Sequence, residues 1–233
     1  MTKQAAVSSE TRSADAMLRA RARRVVPGGM WGHLNAARLP EGYPQFFASA
    51  EGCRVRDVDG REYIDFMCSW GPVVLGRRHP EVEAAARAQA ALGDCLNGPG
   101  EVMVDLAEDL VGMLPHADWA MFQKNGGDAT TACVTIARAG KGRRKVLVMN
   151  DCYHGAVDES YVTLDHGKAI VRPGVIGQTV DLTQTSKVVE FNDLAALEAA
   201  LSPRDVAVVM MEPALTNCSM VLPDPGYLAQ VRQ

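Results

Sequence analysis

Several features that would have assigned this sequence to a class at once are missing. No apolar run approaches the ~20 residues that a membrane-crossing helix needs. The opening stretch, MTKQAAVSSETRSADAMLRARARR, is polar and mixed in charge, without the apolar core of a secretory signal. A cytoplasmic location with no membrane partner is therefore expected. There is no excess of positive charge either: 24 Lys+Arg stand against 28 Asp+Glu, a net charge of −4, which argues against a general nucleic-acid binder. The six cysteines (Cys53, Cys68, Cys95, Cys133, Cys152, Cys218) form no CxxC pair. They read as free thiols acting as small buried hydrophobes. Cys152 and His154 alone are too few ligands for zinc. Neither the GxxxxGK[ST] phosphate loop nor the GxGxxG dinucleotide fingerprint occurs, and there is no repeat or low-complexity tract.

What is present is an ordinary globular composition. With 233 residues, 47% apolar and 22% charged, the chain can bury roughly 70% of its unfolded surface without a disulfide or metal staple. Residues 10–25 read as a polar helix whose Arg19, Arg21, Arg23 and Arg24 form a solvated face, stopped by Pro27-Gly28-Gly29. Residues 45–66 alternate in polarity around Glu51-Gly52 and Asp59-Gly60, the pattern of a small antiparallel meander. From His79 onward the pattern predicts helices over 80–93, 101–114, 128–140 and 193–201. Between them it predicts strands over 118–123, 145–149, 187–191 and 206–211. The last of these is unbroken and apolar, as suits a strand covered on both faces. The alternation implies an α/β layer with mostly parallel strands. The expected division is residues 1–70, a helix and small sheet, and residues 71–233, an α/β domain ending inside a helix that Pro225-Gly226 opens.

Four segments could carry chemistry. Lys124-Asn125-Gly126-Gly127-Asp128 joins a predicted strand to a predicted helix. Its glycines allow close backbone approach, and the helix start offers free N–H groups to an anion; a plain turn is the alternative. Tyr153-His154-Gly155 follows the strand 145–149, at the strand end where α/β sheets bind ligands. Its aromatic ring could stack on a planar ligand, or simply pack at a strand end. Glu212, after the strand 206–211 and followed by Asn217, is a site carboxylate or a cap. Trp70, on a Gly-Pro turn, walls a pocket or packs a joint between segments.

Taken in order, RARRVVPGGM, EGCRVRDVDGREYIDF, SWGPVVLGRRHPEV, KNGGDATTACVTIARA, DCYHGAVDE, RPGVIG, EFND, MEPALTN and LPDPGYL resemble the class III aminotransferases. The similarity is greatest to the glutamate-1-semialdehyde aminomutase branch. The resemblance implies part of a fold type I large domain, preceded by an N-terminal helix and small antiparallel sheet, and the cofactor pyridoxal 5′-phosphate (PLP). It also implies transfer of an amino group between a small-molecule amine or amino acid and an oxo acid, in a homodimer. The family's phosphate-holding Ser-Gly-Thr turn falls on Asn125, Gly126 and Gly127, so both hydroxyls are missing. Its ring-stacking aromatic falls on Tyr153, followed by His154; its Glu-Pro glutamate falls on Glu212; its pocket tryptophan falls on Trp70. Asn217 matches a following asparagine, and Trp31 and His33 would face a partner's site. The branch's carboxylate-gripping arginine is replaced by Asn35, with Arg38 further on, which points to a different amine substrate. The family's pyridine-binding Asp and Schiff-base Lys lie beyond Gln233. Lys168 and Lys187 are expected at the surface. The expectation is a truncated form of such an enzyme; the alternative is a non-catalytic cofactor-binding or dimer-partner module.

Overall fold

The computed structural model describes residues 13–32, 34–93 and 96–233. The chain forms two compact units, Met1–Gly100 and Glu101–Gln233. This division falls later than residues 70 and 71, where the sequence pattern changes.

In the first unit, α1 (Ala14–Val25) starts at Ser13, whose hydroxyl accepts the Ala16 N–H at 3.0 Å. Arg21, Arg23 and Arg24 stay in solvent as expected, but Arg19 does not. It is half-buried, donates to the Tyr43 carbonyl at 2.6 Å and pairs with Asp15, the helix's one buried residue. That carboxylate accepts the N–H groups of Gln45 and Phe46, both at 2.9 Å, and so ties the helix to the chain entering the sheet. The predicted meander is present as β1 (Phe47–Glu51), β2 (Arg54–Asp57) and β3 (Glu62–Ile64), antiparallel in sequence order. Asp57 closes its tight turn by accepting the N–H of Asp59 at 3.0 Å, the N–H of Arg61 at 2.8 Å and the Tyr63 hydroxyl at 2.9 Å. Burial would raise its pKa, but the hydrogen bonds from Arg61 and Tyr63 outweigh burial and hold it below the usual range. Helix α2 (Pro80–Ala90) follows, with proline in its first turn.

The second unit is built on three parallel strands. β4 (Lys145–Met149) lies between β7 (Ser186–Val189) and β8 (Val206–Met210). Val146, Leu147 and Val148 are fully buried because both edges and both faces of β4 are covered. Helices α4 (Gly126–Lys141), α5 (Leu194–Leu201) and α6 (Tyr227–Arg232) contribute Val134, Leu197 and Tyr227 to the buried set. The Tyr227 hydroxyl meets Met149 Sδ at 3.6 Å, and its ring packs edge-on against Phe191 at 5.0 Å. Asp193, the first residue of the predicted helix 193–201, is the N-cap of α5, accepting the Ala196 N–H at 2.8 Å.

Three expectations need correction. Residues 118–123 form no strand. A strand needs a hydrogen-bonded neighbour, both sides of β4 are taken, and no other described segment pairs with this one. The cysteines are not all buried: Cys152 is, but Cys53 and Cys133 are exposed, Cys68 and Cys218 are half-buried, and Cys95 lies outside the described residues. Lys187 is not a plain surface residue. Its ammonium is held at 2.6 Å by both the Ala200 carbonyl and Asp205, whereas Lys168 is exposed as expected. The structure also adds a hairpin, β5 (Val162–Asp165) with β6 (Lys168–Val171), turning at His166-Gly167. Helix α3 (Glu101–Met113) buries no residue. Among the described residues no helix is long and apolar enough to cross a membrane.

Candidate functional site

The carboxyl ends of β4 and β8 meet the start of α4. Asn125 is the N-cap of α4: its Oδ1 accepts the Asp128 N–H at 3.0 Å and its Nδ2 donates to the Asp128 carboxylate at 2.8 Å. The side chain that replaces a hydroxyl is therefore engaged within its own turn. The first N–H groups of a helix have no partner inside it, and among the described residues those of Gly126 and Gly127 have no acceptor. A Cβ on Gly126 would meet nothing within 4 Å, so the space over this turn is open. Thr130 and Thr131 turn their hydroxyls back onto the Gly126 and Gly127 carbonyls, both at 2.9 Å.

The loop after β4 presses against this turn. A Cβ on Gly155, which sits at φ +83°, would lie 3.3 Å from Gly127 Cα and 3.4 Å from its nitrogen. Only glycine at 155 permits that approach in an unstrained backbone. Tyr153 and His154 are thereby fixed beside the α4 N-terminus. Tyr153 is 56% exposed, while its backbone N–H donates to Glu212 Oε2 at 2.9 Å. The other oxygen of Glu212 accepts the Thr216 hydroxyl at 2.6 Å. Glu212 thus latches the loop after β8 to the loop after β4.

His154 Nε2 is buried and without a hydrogen-bond partner. Burial depresses the imidazole pKa, while the Glu212 charge and the Met210 backbone pull it back up. Cys152, in the same loop, is pushed up to about 12 by burial, with the Glu212 charge acting in the same direction. The ring is held toward its neutral form, and the thiol is protonated and inert.

The structure brings Asn125, Gly126, Gly127, Tyr153, His154 and Glu212 together in the second unit. Asn217 is exposed in the loop beside Thr216. Trp31 and Trp70 belong to the first unit and are 71% and 68% exposed; His33 lies outside the described residues. Sequence reasoning missed Thr216, whose spacing four residues after Glu212 was the available signal. It also missed Asn150. That amide donates to Glu190 at 3.1 Å and accepts the Thr163 hydroxyl at 2.8 Å, tying β5 to the end of β4.

Comparison with known proteins bears directly on this arrangement. The family described as aminotransferase class-III matches residues 38–233. The chain belongs to the class III aminotransferases. It is 53% identical over 150 residues to an aminopentol aminotransferase of Sphingopyxis macrogoltabida, covering 64% of this chain and 35% of that protein. It is 37% identical over 217 residues to a glutamate-1-semialdehyde 2,1-aminomutase of Chloroflexus aurantiacus, covering 92% and 49%. Among solved structures it resembles the PLP internal aldimine form of the Sphingopyxis sp. MTA144 FumI protein. That likeness has a TM-score of 0.82 and 40% identity, over 94% of this chain and 51% of the other. The chain thus spans about half the length, or less, of these class III relatives. The α/β fold with a parallel sheet and a small N-terminal antiparallel sheet is the one expected from the sequence.

Proposed function

We propose that this chain carries the phosphate- and ring-binding part of a PLP-dependent enzyme that transfers an amino group between an amine or amino acid and an oxo acid. The close approach of Gly155 to Gly127 carries this reading, because it joins an open row of helix N–H donors to an exposed aromatic ring. The residues fit the cofactor. Gly126 and Gly127 would hold its phosphate by backbone N–H groups and the helix dipole. The Tyr153 ring would stack on the pyridine. Glu212 would act through Tyr153, fixing the backbone that carries the ring. Neutral His154 would sit beside the ring without adding charge. When bound, PLP supplies the carbonyl that takes up the amino group and the electron sink that makes the transfer possible.

An amine transaminase is favoured over an aminomutase. The aminopentol aminotransferase is the more identical of the two relatives above. Asn35 has no guanidinium with which to grip a carboxylate, and its side-chain oxygen is already taken by the Ala37 N–H at 2.9 Å. A homodimer is the expected assembly.

PLP binding followed by absorbance, then borohydride reduction and peptide mapping, tests the reading. Reversible binding is expected, weakened by Tyr153→Ala, with no pyridoxyl adduct on Lys168 or Lys187. Absence of binding, or binding indifferent to Tyr153→Ala, overturns the cofactor site. A single stable adduct on one lysine of this chain overturns the reading of a binding part without its own cofactor-linked lysine.

A further inference from the structure

The opposite end of the same sheet carries charge that the amino-transfer reading does not use. The chain is net negative by 4, yet Lys141, Arg143, Arg144, Lys145, Lys187 and Arg204 gather where β4, β7 and β8 begin. Two of these share one carboxylate, which offsets a single positive charge. Lys145 and Lys187 both bind Asp205, at 2.9 and 2.6 Å, which uses both oxygens of that carboxylate. Beside this pair lies a hollow of about 500 Å³ lined by Arg143, Arg144 and Arg204 together with Lys145, Asp205, Gln184 and Thr185, so that four cations face one carboxylate. Among the described residues, none of the three arginines is paired with a carboxylate: Asp205 is taken by lysines, and Glu159 is taken by Arg138.

The hollow is held open by its own backbone. Gly142 ends α4 in a left-handed conformation, its N–H returning to the Arg138 carbonyl at 2.9 Å. Arg138 Nε in turn grips the Arg144 carbonyl at 2.8 Å, which fixes the turn bearing Arg143 and Arg144. Arg143 spends one nitrogen on the Val206 carbonyl at 3.2 Å and keeps its other donors free. Arg204 enters from the turn before β8 with φ +55°. Three guanidiniums around one hollow repel one another unless an anion lies between them. The planar fork of arginine matches phosphate oxygens in pairs. The volume is that of an ordinary small-molecule pocket.

We propose that this groove binds a small molecule carrying a di- or triphosphate group, independently of the amino-transfer site. A nucleic acid fits less well. The chain is acidic overall, and no aromatic side chain lines the hollow to stack a base.

Isothermal titration of the full chain with inorganic tripolyphosphate at low salt, in the presence of PLP, tests the proposal. Saturable one-to-one binding is expected, about tenfold weaker in Arg144→Gln and in Arg204→Gln and weakened again by added salt. Neither of these side chains makes a hydrogen bond within the described residues, so unchanged thermal melts are expected in both. Arg143→Gln should act in the same direction. Absence of saturation overturns the proposal. So does binding that all three variants leave unchanged, which would move the anion elsewhere. Tighter binding of a single-stranded oligonucleotide than of tripolyphosphate at equal salt would replace the small ligand with nucleic acid.

Discussion

At the residue scale, positions 125 and 127 of the proposed phosphate turn are sterically coupled. A Cβ on Gly127 would lie 3.3 Å from Asn125 Oδ1, so the longer cap leaves no comfortable room for a threonine two residues later. Gly127→Thr alone should displace the cap and lose part of the ~1 kcal/mol that such a cap contributes. With Asn125→Ser the same threonine should fit and add hydroxyl donors for phosphate. A double-mutant cycle on stability and on PLP affinity should therefore show strong positive coupling; additive effects would separate the two positions. The missing hydroxyls are legible in the sequence. Their mutual compensation is not, because it depends on which way the Asn125 side chain turns. Glu212 offers a second residue-scale test. Its charge pulls the His154 pKa up against burial, so Glu212→Gln should lower that pKa further in an NMR titration. The sign follows from linkage. A histidine depressed in the folded state contributes stability that is present above its ordinary pKa and is lost as pH falls through the folded value. The variant should lose more stability than the parent on acidification from pH 7 to 5.

At the element scale, Asp205 does more than stand at the head of one strand. It precedes β8, while Lys145 begins β4 and Lys187 lies at the start of β7, so a single carboxylate ties the amino ends of all three parallel strands. The hydrogen bonds from Lys187 and Lys145 hold its pKa at about 2 despite partial burial. A depressed carboxylate contributes stability that is complete above its ordinary pKa and disappears as pH falls toward 2. Asp205→Asn should lower the melting temperature at neutral pH. It should also flatten the loss of stability between pH 4 and 2, as followed by circular dichroism. Parallel acid profiles for parent and variant would remove Asp205 from that role. The alternation of helix and strand was legible wherever local pattern and pairing agreed. The strand over 145–149 and the cap at Asp193 carry their signals in adjacent residues, whereas the caps at Ser13 and Asn125 emerge only in the structure. Residues 118–123 have the same apolar texture, but being a strand depends on a partner that no local pattern reveals. The β5–β6 hairpin turns on His166-Gly167, a weaker local signal than Asp-Gly. In the candidate site, Tyr153 and Glu212 stood out at predicted strand ends, whereas the latch between them needs the two loops in register.

At the scale of the whole molecule, apolar surface is distributed unevenly. Leu197 on α5 is 3% exposed, whereas α3 buries nothing despite an apolar sequence, and Leu106 within it is 48% exposed. The segment after α3 adds Trp119, Met121 and Phe122 to the exposed set, and among the described residues β8 is paired along one edge only. Exposed apolar side chains and an open strand edge of this kind promote association. The chain should bind a hydrophobic dye and self-associate at moderate concentration in light scattering. Substitutions should divide by location. Leu197→Ala should cost about 2–5 kcal/mol, because it opens the core beneath β4 and β7. Leu106→Gln should change stability by no more than about 0.5 kcal/mol, yet reduce dye binding and association, because the side chain it removes stabilises nothing within the chain. If Leu106→Gln instead destabilises the chain as Leu197→Ala does, α3 packs against the fold in solution and its apolar residues belong to the core.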